Sequence, residues 1–402
     1  MVQDKLKVKK LLIITERFYP EDFIINELAI DFQKKGFEIS VLTQSPSYPH
    51  SKIFNGYKNR LFKKYDWQGI KIYRFFTVLG YKKKVMLKLL NYFSFMVMSI
   101  VTGIFIGRKF DKVFIFQTGP LLPAVAGVVI KKLYKKPLTI WTQDLWPDAV
   151  YDYGFKKTWF LKTFLNWLVK FVYKNCRNIF VSSRGFIKRI SEYVPNKKIR
   201  YFPNWPMINC FFEGENPIKL SDKFNFTFAG GIGKFQNLKN VVRGFGLFIE
   251  NGKDAQLNII GEGANLNALK QLMETEKIPN IVFWQRQSAS EIPKYISASD
   301  ALIIPLIDSP MGRFIVPSKF QAYLTAQKPI FCIAKGETAT IVRENNLGIV
   351  SDPCDIESIA SGFEKMMEFA HSQTAFKSKA KDLLDREFSK EKIVNEMVDI
   401  VV

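Results

Sequence analysis

The chain has 402 residues, 47% of them hydrophobic, which points to two or three folded domains and excludes a disordered protein. Its four cysteines (Cys176, Cys210, Cys332, Cys354) are scattered without a CxxC pair, and His50 and His371 are the only imidazoles, so no disulfide framework, zinc site or histidine-based chemistry is indicated. The net charge of +22 sits in one half: residues 1–200 hold 37 Lys and Arg against 13 Asp and Glu, whereas residues 201–402 hold 22 against 24. A bias confined to one half implies an anionic partner there, nucleic acid or an anionic lipid surface.

The N-terminus alternates Lys5, Leu6, Lys7, Val8, Lys9 and Lys10 before a short apolar run ending at Thr15. That run is too short for a signal peptide and reads as a first β-strand, so a cytosolic location is expected. Further strands are expected at 38–43, 70–76, 112–117, 138–141 and 178–182. Helical patterns separate several of them, as at 26–35, which Gly36 terminates. This alternation predicts a parallel sheet covered on both faces.

Residues 89–107 are 19 consecutive uncharged residues, with Lys82, Lys83, Lys84 and Lys88 before them and Arg108 and Lys109 after. The length permits a membrane span. Chain order argues against one, because strands 70–76 and 112–117 should share a sheet. A helix lying in the membrane interface, lysines toward headgroups, fits better; a buried helix of the α/β domain is the alternative. Residues 159–174 mix Trp, Phe and Tyr with Lys162, Lys170 and Lys174 and allow the same two readings. Nucleic acid is disfavoured, because the aromatics lie in helical apolar runs and not on a polar platform.

Residues 195–206 carry prolines and aromatics and look like a domain junction. The pattern then restarts, with strands expected at 224–229, 256–260, 281–284, 301–305, 329–333 and 348–350. Helices are expected at 237–251, 265–274, 290–298, 317–324 and 356–369. The fold class is therefore α/β, with two doubly wound domains, at 1–205 and 206–375. A charged helical segment, 376–402, would cross back to the first domain. Two such domains are expected to face a central cleft at the carboxyl ends of their strands.

Several strand ends carry candidate chemistry. Gly230-Gly231-Ile232-Gly233 is either a phosphate-binding turn or only a tight turn, with Lys234 beside it. Gly261-Glu262-Gly263 is the analogous turn after the next strand. Gln285 and Arg286 could border a flat base. Pro317 can begin a helix that places Lys319 in its first turn, a position suited to a lysine when an anion is also bound. Glu337, before Thr338 and Ala339, could contact a sugar or cap a helix. In the first domain, Asp144 could hold an acceptor hydroxyl or form an Asx turn. Glu16 and Thr118-Gly119-Pro120 also sit where cleft residues are expected. No metal cluster and no Asp-x-Asp occurs, so a nucleotide diphosphate would be neutralised by Lys, Arg and backbone N–H groups. No GxGxxG follows either first strand, which argues against a dinucleotide oxidoreductase.

In order, the segments LLIITERFYPE, VFIFQTGPLLPAVAG, TIWTQDLWPDA, YFPNWP, FTFAGGIGKFQNL, LNIIGEG, SASEIPKYISASDALIIPL and VPSKFQAYLTAQKPIF resemble family 4 glycosyltransferases of the GT-B fold. The likeness is to the subgroup that includes bacterial fucosamine transferases of O-antigen and capsule assembly. It implies two Rossmann-like domains and metal-independent transfer, with retention, of an N-acetylated sugar such as N-acetyl-L-fucosamine. The donor would be a UDP-sugar held by the C-terminal domain. The acceptor would be a polyprenyl-diphosphate-linked saccharide taken by the N-terminal domain. The location would be the cytoplasmic face of the bacterial inner membrane, peripheral or monotopic, on an anionic surface. A soluble acceptor, or a non-catalytic nucleotide-sugar-binding subunit, is the alternative, and the resemblance assigns no oligomeric state.

By the resemblance Lys234 and Lys319 neutralise the donor diphosphate, with Gly231 and Gly233 in the turn. Gln285 and Arg286 lie along the base. Glu337, Thr338 and Ala339 lie near the donor sugar, and Asp144 near the reacting centre. The sequence also departs from the broader family. Gly231 and Gln236 stand where an arginine and a lysine are usual. Gln321 stands for the ribose-contacting glutamate, and Gln143 for a histidine. Residues 20–24 lack the glycines common after the first strand.

Overall fold

The computed structural model describes residues 8–80, 85–152, 154–212, 218–372 and 376–401. Lys82, Lys83 and Lys84, singled out above, and Lys5–Lys7 lie outside these residues. The chain forms two compact units: Met1–Phe202 with Glu391–Val402, and Pro203–Lys390.

In the first unit, β1 (Lys9–Thr15), β2 (Phe37–Gln44), β3 (Phe62–Trp67), β4 (Ile70–Phe75), β5 (Lys112–Gln117), β6 (Leu138–Thr142), β7 (Asn178–Val181) and β8 (Ile199–Tyr201) form one sheet. Its order is β3-β4-β2-β1-β5-β6-β7-β8. The helices are α1 (Ile24–Lys34), α2 (Val85–Ile106), α3 (Ala124–Tyr134), α4 (Asp148–Asp152), α5 (Trp159–Asn175) and α6 (Gly185–Ile190). Every residue of β6, and of β1 from Leu11 on, is buried, as in a strand covered on both faces. The sheet departs from the expected parallel one at its edge, where β3 pairs antiparallel with β4. Its sequence FKKYDW is largely exposed, and charged residues suit an edge strand.

The second unit holds β9 (Phe224–Ala229), β10 (Ala255–Ile260), β11 (Ile281–Trp284), β12 (Ala301–Pro305), β13 (Ile330–Ile333) and β14 (Gly348–Ser351), all parallel, in the order β11-β10-β9-β12-β13-β14. Its helices are α7 (Leu238–Glu250), α8 (Leu266–Thr275), α9 (Ile292–Ser297), α10 (Pro310–Phe314), α11 (Ser318–Ala326), α12 (Glu337–Glu344), α13 (Ile356–Ser372) and α14 (Phe376–Glu387). The terminal helix α15 (Lys390–Val401) belongs to the first unit from Glu391 on, and there Lys112 Nζ donates to the Val401 carbonyl. Each unit is thus a doubly wound α/β layer, as the strand–helix alternation indicated.

The helix covering 89–107 carries two opposed stripes. Lys88, Asn91, Phe95, Ser99, Thr102 and Ile106 recur every three or four residues, and from Asn91 on this stripe is buried. Asn91 Nδ2 donates to the Val78 carbonyl (2.7 Å) and to Gln44 Oε1 (3.2 Å), tying α2 to the sheet. The other stripe, which includes Met86, Leu90, Phe93, Val97, Val101 and Phe105, is exposed, Phe105 at 78%. Strands β4 and β5, on either side of α2 in sequence, share the sheet. Helix α5 repeats the design: Leu165, Leu168, Val169 and Val172 face inward, while Trp159 (80%) and Phe160 (75%) are exposed with Phe164 and Trp167. Helix α3 touches both α2 and α5.

The core of the second unit centres on Phe363 of α13, which meets Phe226 edge-on at 4.8 Å and Phe331 at 4.9 Å. Such aromatic pairs contribute about 0.5–1.5 kcal/mol each beyond area burial. Helices α7 and α13 approach closely at Gly244, where an added Cβ would lie 2.4 Å from Ile359 Cγ2 and 2.7 Å from its Cβ. Because the Ile359 Cβ is fixed to its helix, Gly244→Ala should force the helices apart. A loss of about 1–3 kcal/mol is expected in denaturant unfolding of the purified protein. An unchanged midpoint would mean that this helix pair is not tightly packed.

Candidate active site

In the second unit, parallel pairing brings the carboxyl ends of adjacent strands to one edge, and the predicted donor residues lie along it. Beyond β9 and β10 the strand ladder continues into the turns. Gly230 N–H donates to the Ile260 carbonyl (2.9 Å), Ile232 N–H to Glu262 O (2.8 Å) and Gly261 N–H to Trp284 O (3.2 Å). Gly261 has φ +145°, and a Cβ there would sit 2.0 Å from the Gly230 carbonyl oxygen. Gly261 therefore serves the turn-to-turn contact. Gly231 and Gly233, named as phosphate-turn residues, have open space where a Cβ would be.

Lys319, in the first turn of α11, reaches back over this turn. Its Nζ donates to Gln236 Oε1 (2.7 Å) and lies 3.8 Å from the centroid of the Phe228 ring. It is also 3.1 Å from where a Gly230 Cβ would be. Burial lowers its ammonium from the ordinary 10.5 to about 7. Lys234 is exposed, on a short 3-10 turn whose Phe235 carbonyl accepts from Ile307 N–H (3.0 Å). Gln285 and Arg286 are exposed at the end of β11, and Arg286 pairs with Glu262 at 2.8 Å.

Helix α12 begins at Glu337 directly after β13; Thr338 and Ala339 are buried, and Thr338 Oγ1 donates to the Ile315 carbonyl (2.8 Å). Gln321 is 1% exposed, with its amide against the carbonyls of Pro317 (3.1 Å) and Ser318 (3.2 Å), so it faces into its own helix turn. The sequence reading missed Gln236 as the partner of Lys319. It also missed Tyr323, whose hydroxyl accepts from Ala229 N–H (2.9 Å) at the end of β9. Nearby, Arg313 (2.5 Å) and Lys335 (3.2 Å) flank Asp308 and hold its carboxyl down at about 2.

The first unit has its own polar edge at the ends of β1, β5 and β6. Asp144 accepts from the Gly119 N–H. Gln117 Nε2 holds the Gly119 carbonyl (2.6 Å) and the Asp144 carbonyl (3.2 Å), and Thr142 Oγ1 donates to Gln117 Oε1. Burial raises the Asp144 carboxyl; the Gly119 hydrogen bond and Lys88 oppose this. Glu16 is 5% exposed, and burial pushes its carboxyl up to about 8, with Arg17 and Lys88 opposing and Glu21 and Asp144 adding to the rise. Thus Asp144 acts electrostatically on Glu16, and Lys88 of α2 acts on both.

A doubly wound pair with these edges has the architecture of GT-B glycosyltransferases. The solved structures that resemble it include sucrose-phosphate synthase from Thermosynechococcus elongatus (TM-score 0.71, 12% identity, 98% of each chain). Another is Anabaena Alr3699/HepE in complex with UDP-glucose (TM-score 0.66, 12% identity, 98% of this chain and 99% of that one). Residues 213–383 match the family model of glycosyl transferases group 1, in a chain whose fold is that of GT-B glycosyltransferases. Among curated proteins it is similar to the putative colanic acid biosynthesis glycosyl transferase WcaI of Escherichia coli K12. The two are 21% identical over 391 residues, 90% of this chain and 92% of the relative.

Glu16 gives a pH test of the first-unit edge. Its folded value of about 8 exceeds the ordinary 4.5, so it contributes stability that is fully present below 4.5 and lost as pH rises through 8. Glu16→Gln removes that loss. The variant should gain on wild type by about 1.4 kcal/mol per pH unit across this window, seen as a widening gap in unfolding free energy. A gap that stays constant with pH would contradict the buried, protonated state.

Proposed function

We propose that the chain is a retaining glycosyltransferase that moves an N-acetylated sugar such as N-acetyl-L-fucosamine from a UDP-sugar to a polyprenyl-diphosphate-linked saccharide. The setting is surface polysaccharide assembly at the cytoplasmic face of the bacterial inner membrane. The observation that carries the donor half is Lys319, enclosed against the Gly230 turn at the carboxyl edge of a group 1 domain. The UDP-glucose complex of the Anabaena neighbour supports a UDP-sugar, and the colanic acid relative supports a polysaccharide product.

In this reading Lys319, Lys234 and the N-terminus of α12 meet the charge that grows on the departing diphosphate. The bond from the anomeric carbon to the phosphate oxygen breaks as the acceptor oxygen bonds to the same face of the sugar. The acceptor proton passes to the leaving phosphate oxygen. Asp144 orients the acceptor hydroxyl or stabilises positive charge on the sugar. Neutralisation by lysines and a helix dipole leaves no step that requires a divalent ion.

Support for a lipid-linked acceptor comes from the exposed apolar stripes of α2 and α5 in the basic half. Helix α2 with the turn after it, Met86–Lys109, is long and apolar enough to cross a membrane, yet one face is built into the unit. A helix with one face in protein and the other in the headgroup–acyl boundary satisfies both facts.

Two experiments follow. Lys319→Ala should lower UDP release from UDP-sugars about 100-fold or more while thermal unfolding stays near wild type, and EDTA should leave wild-type turnover unchanged. Near-normal turnover in the variant would remove Lys319 from the mechanism, and loss of activity with EDTA would remove metal independence. The double variant Trp159→Ser, Phe160→Ser should cosediment at least about tenfold less with phosphatidylglycerol liposomes, since burying each large apolar side chain is worth about 1.5–3 kcal/mol. Unchanged cosedimentation would contradict the surface model.

A further inference from the structure

We propose that Glu16 is an acceptor-positioning residue: with Asp144 and Thr118 it forms a hydroxyl-binding site at the carboxyl ends of β1, β5 and β6. This rests on the reading that the first unit takes the acceptor, and it names the group that would hold it there.

The case begins with what other buried acids in this unit do. Glu21, 3% exposed, accepts from Ser47 N–H (2.8 Å) and Tyr48 N–H (2.6 Å), with Arg17 at 3.4 Å. Asp148 is held by Arg189 Nε (3.0 Å) and Nη2 (3.2 Å). These are acids with structural duties: Glu21 Oε1 and both oxygens of Asp148 are engaged. Glu16 Oε1 is buried with no hydrogen-bond partner among the described residues, and so is the hydroxyl of Thr118. A buried polar atom without a partner costs about 1–3 kcal/mol, and among Glu16, Glu21 and Asp148 it is Glu16 that carries one.

The position is also that of a site. Thr15 of β1 pairs with Phe116 of β5, and Gln117 of β5 with Thr142 of β6, so Glu16, Thr118 and Asp144 follow on adjacent strand ends. Glu16 Oε2 is 4.0 Å from where a Cβ on Gly119 would be, and Gly119 donates its N–H to Asp144. Among the described residues, its chain neighbours aside, no other atom lies within 4 Å of that Cβ position, so Gly119 leaves room beside Glu16 Oε2. Gln117 and Thr142 fix the backbone of both loops from below.

The charges that face Glu16 are Arg17 beside it, Glu21 in the following loop, Lys88 from α2 and Asp144 from the loop after β6. Burial outweighs the two cations, so Glu16 is a neutral acid near pH 7 and can donate its proton in a hydrogen bond as well as accept one. An acceptor hydroxyl placed between a donating Glu16 and an accepting Asp144 is oriented by both. Lys88 belongs to the helix that carries the exposed apolar stripe, so the site and the lipid-facing surface share one rigid element.

The test uses the full-length protein, wild type, Glu16→Gln and Glu16→Ala, with UDP-N-acetylglucosamine and UDP-N-acetyl-L-fucosamine as donors. Undecaprenyl-diphosphate-linked N-acetylglucosamine in detergent is the acceptor probe. In infrared difference spectra, wild type should show a protonated carboxyl band that bleaches with a midpoint near pH 8, is absent from Glu16→Gln, and shifts when the probe is added. Glu16→Ala should raise the acceptor KM at least tenfold with the donor KM unchanged, and Glu16→Gln should restore it to within threefold. A band insensitive to the probe, an unchanged acceptor KM in Glu16→Ala, or an equal rise in donor KM would overturn the proposal. Wild type that releases UDP by hydrolysis but transfers to no lipid-linked probe would overturn the acceptor reading and this site with it. Wild type that neither hydrolyses nor transfers would defeat the donor reading alone, and the probe-induced band shift would still decide the role of Glu16.

Discussion

Parallel strand pairing is the constraint on which the rest depends. It sends the carboxyl ends of neighbouring strands to one edge of a sheet, where loops can approach one another without helices between them. In the second unit the hydrogen-bond ladder does not stop with the strands. It runs on through the Gly230 and Gly261 turns, and the missing Cβ atoms of Gly261 and Gly263 let the two backbones meet. That contact sets the floor against which the Lys319 ammonium is enclosed. In the first unit the same edge gathers Glu16, Thr118 and Asp144 from strands far apart in sequence.

Helix α2 shows how one sequence can meet two demands. An apolar run of this length would be unsuited to a membrane span if half its surface were Asn, Ser, Thr and Lys needing partners. Those residues instead lie on one inward stripe, where Asn91 Nδ2 bonds Gln44 and Val78 and Ser99 Oγ bonds the Met96 carbonyl of its own helix, while the outward stripe stays apolar. Arg74 secures the same region, with Nη1 on the Gln44 carbonyl at 2.5 Å and Nη2 on the Tyr19 carbonyl, and its guanidinium over the Tyr57 ring at 5.2 Å. The inward face of α2 is tied in turn to the end of β2 and to Val78.

Much of the fold was legible because buried parallel strands are short apolar runs separated by helical periods. The first strand, β5 and β9 stand out for that reason. What was not legible lacked that signal: β3 is a charged edge strand, and β8 is three residues between prolines. For α5 the aromatic content left buried and surface readings open, and only the packing on α3 separates Leu165 and Val169 from Trp159 and Phe160. The site was legible as strand ends, not as contacts. That Lys319 pairs with Gln236, 83 residues away, needs the adjacency of β9 and β12. Gln321 stands, by the resemblance, where a ribose-contacting glutamate is usual, and here it is buried with its amide against the carbonyls of Pro317 and Ser318.

The central claim is that the enclosed Lys319 receives the diphosphate of a nucleotide donor. Calorimetry of UDP binding at pH 7.5, in buffers of different ionisation enthalpy, tests it most directly. With its ammonium lowered to about 7, the free protein should take up protons when the anion restores its charge, and Lys319→Met should abolish that part of the uptake. Proton uptake that is identical in the variant, or absent from wild type while UDP still binds, would contradict the account.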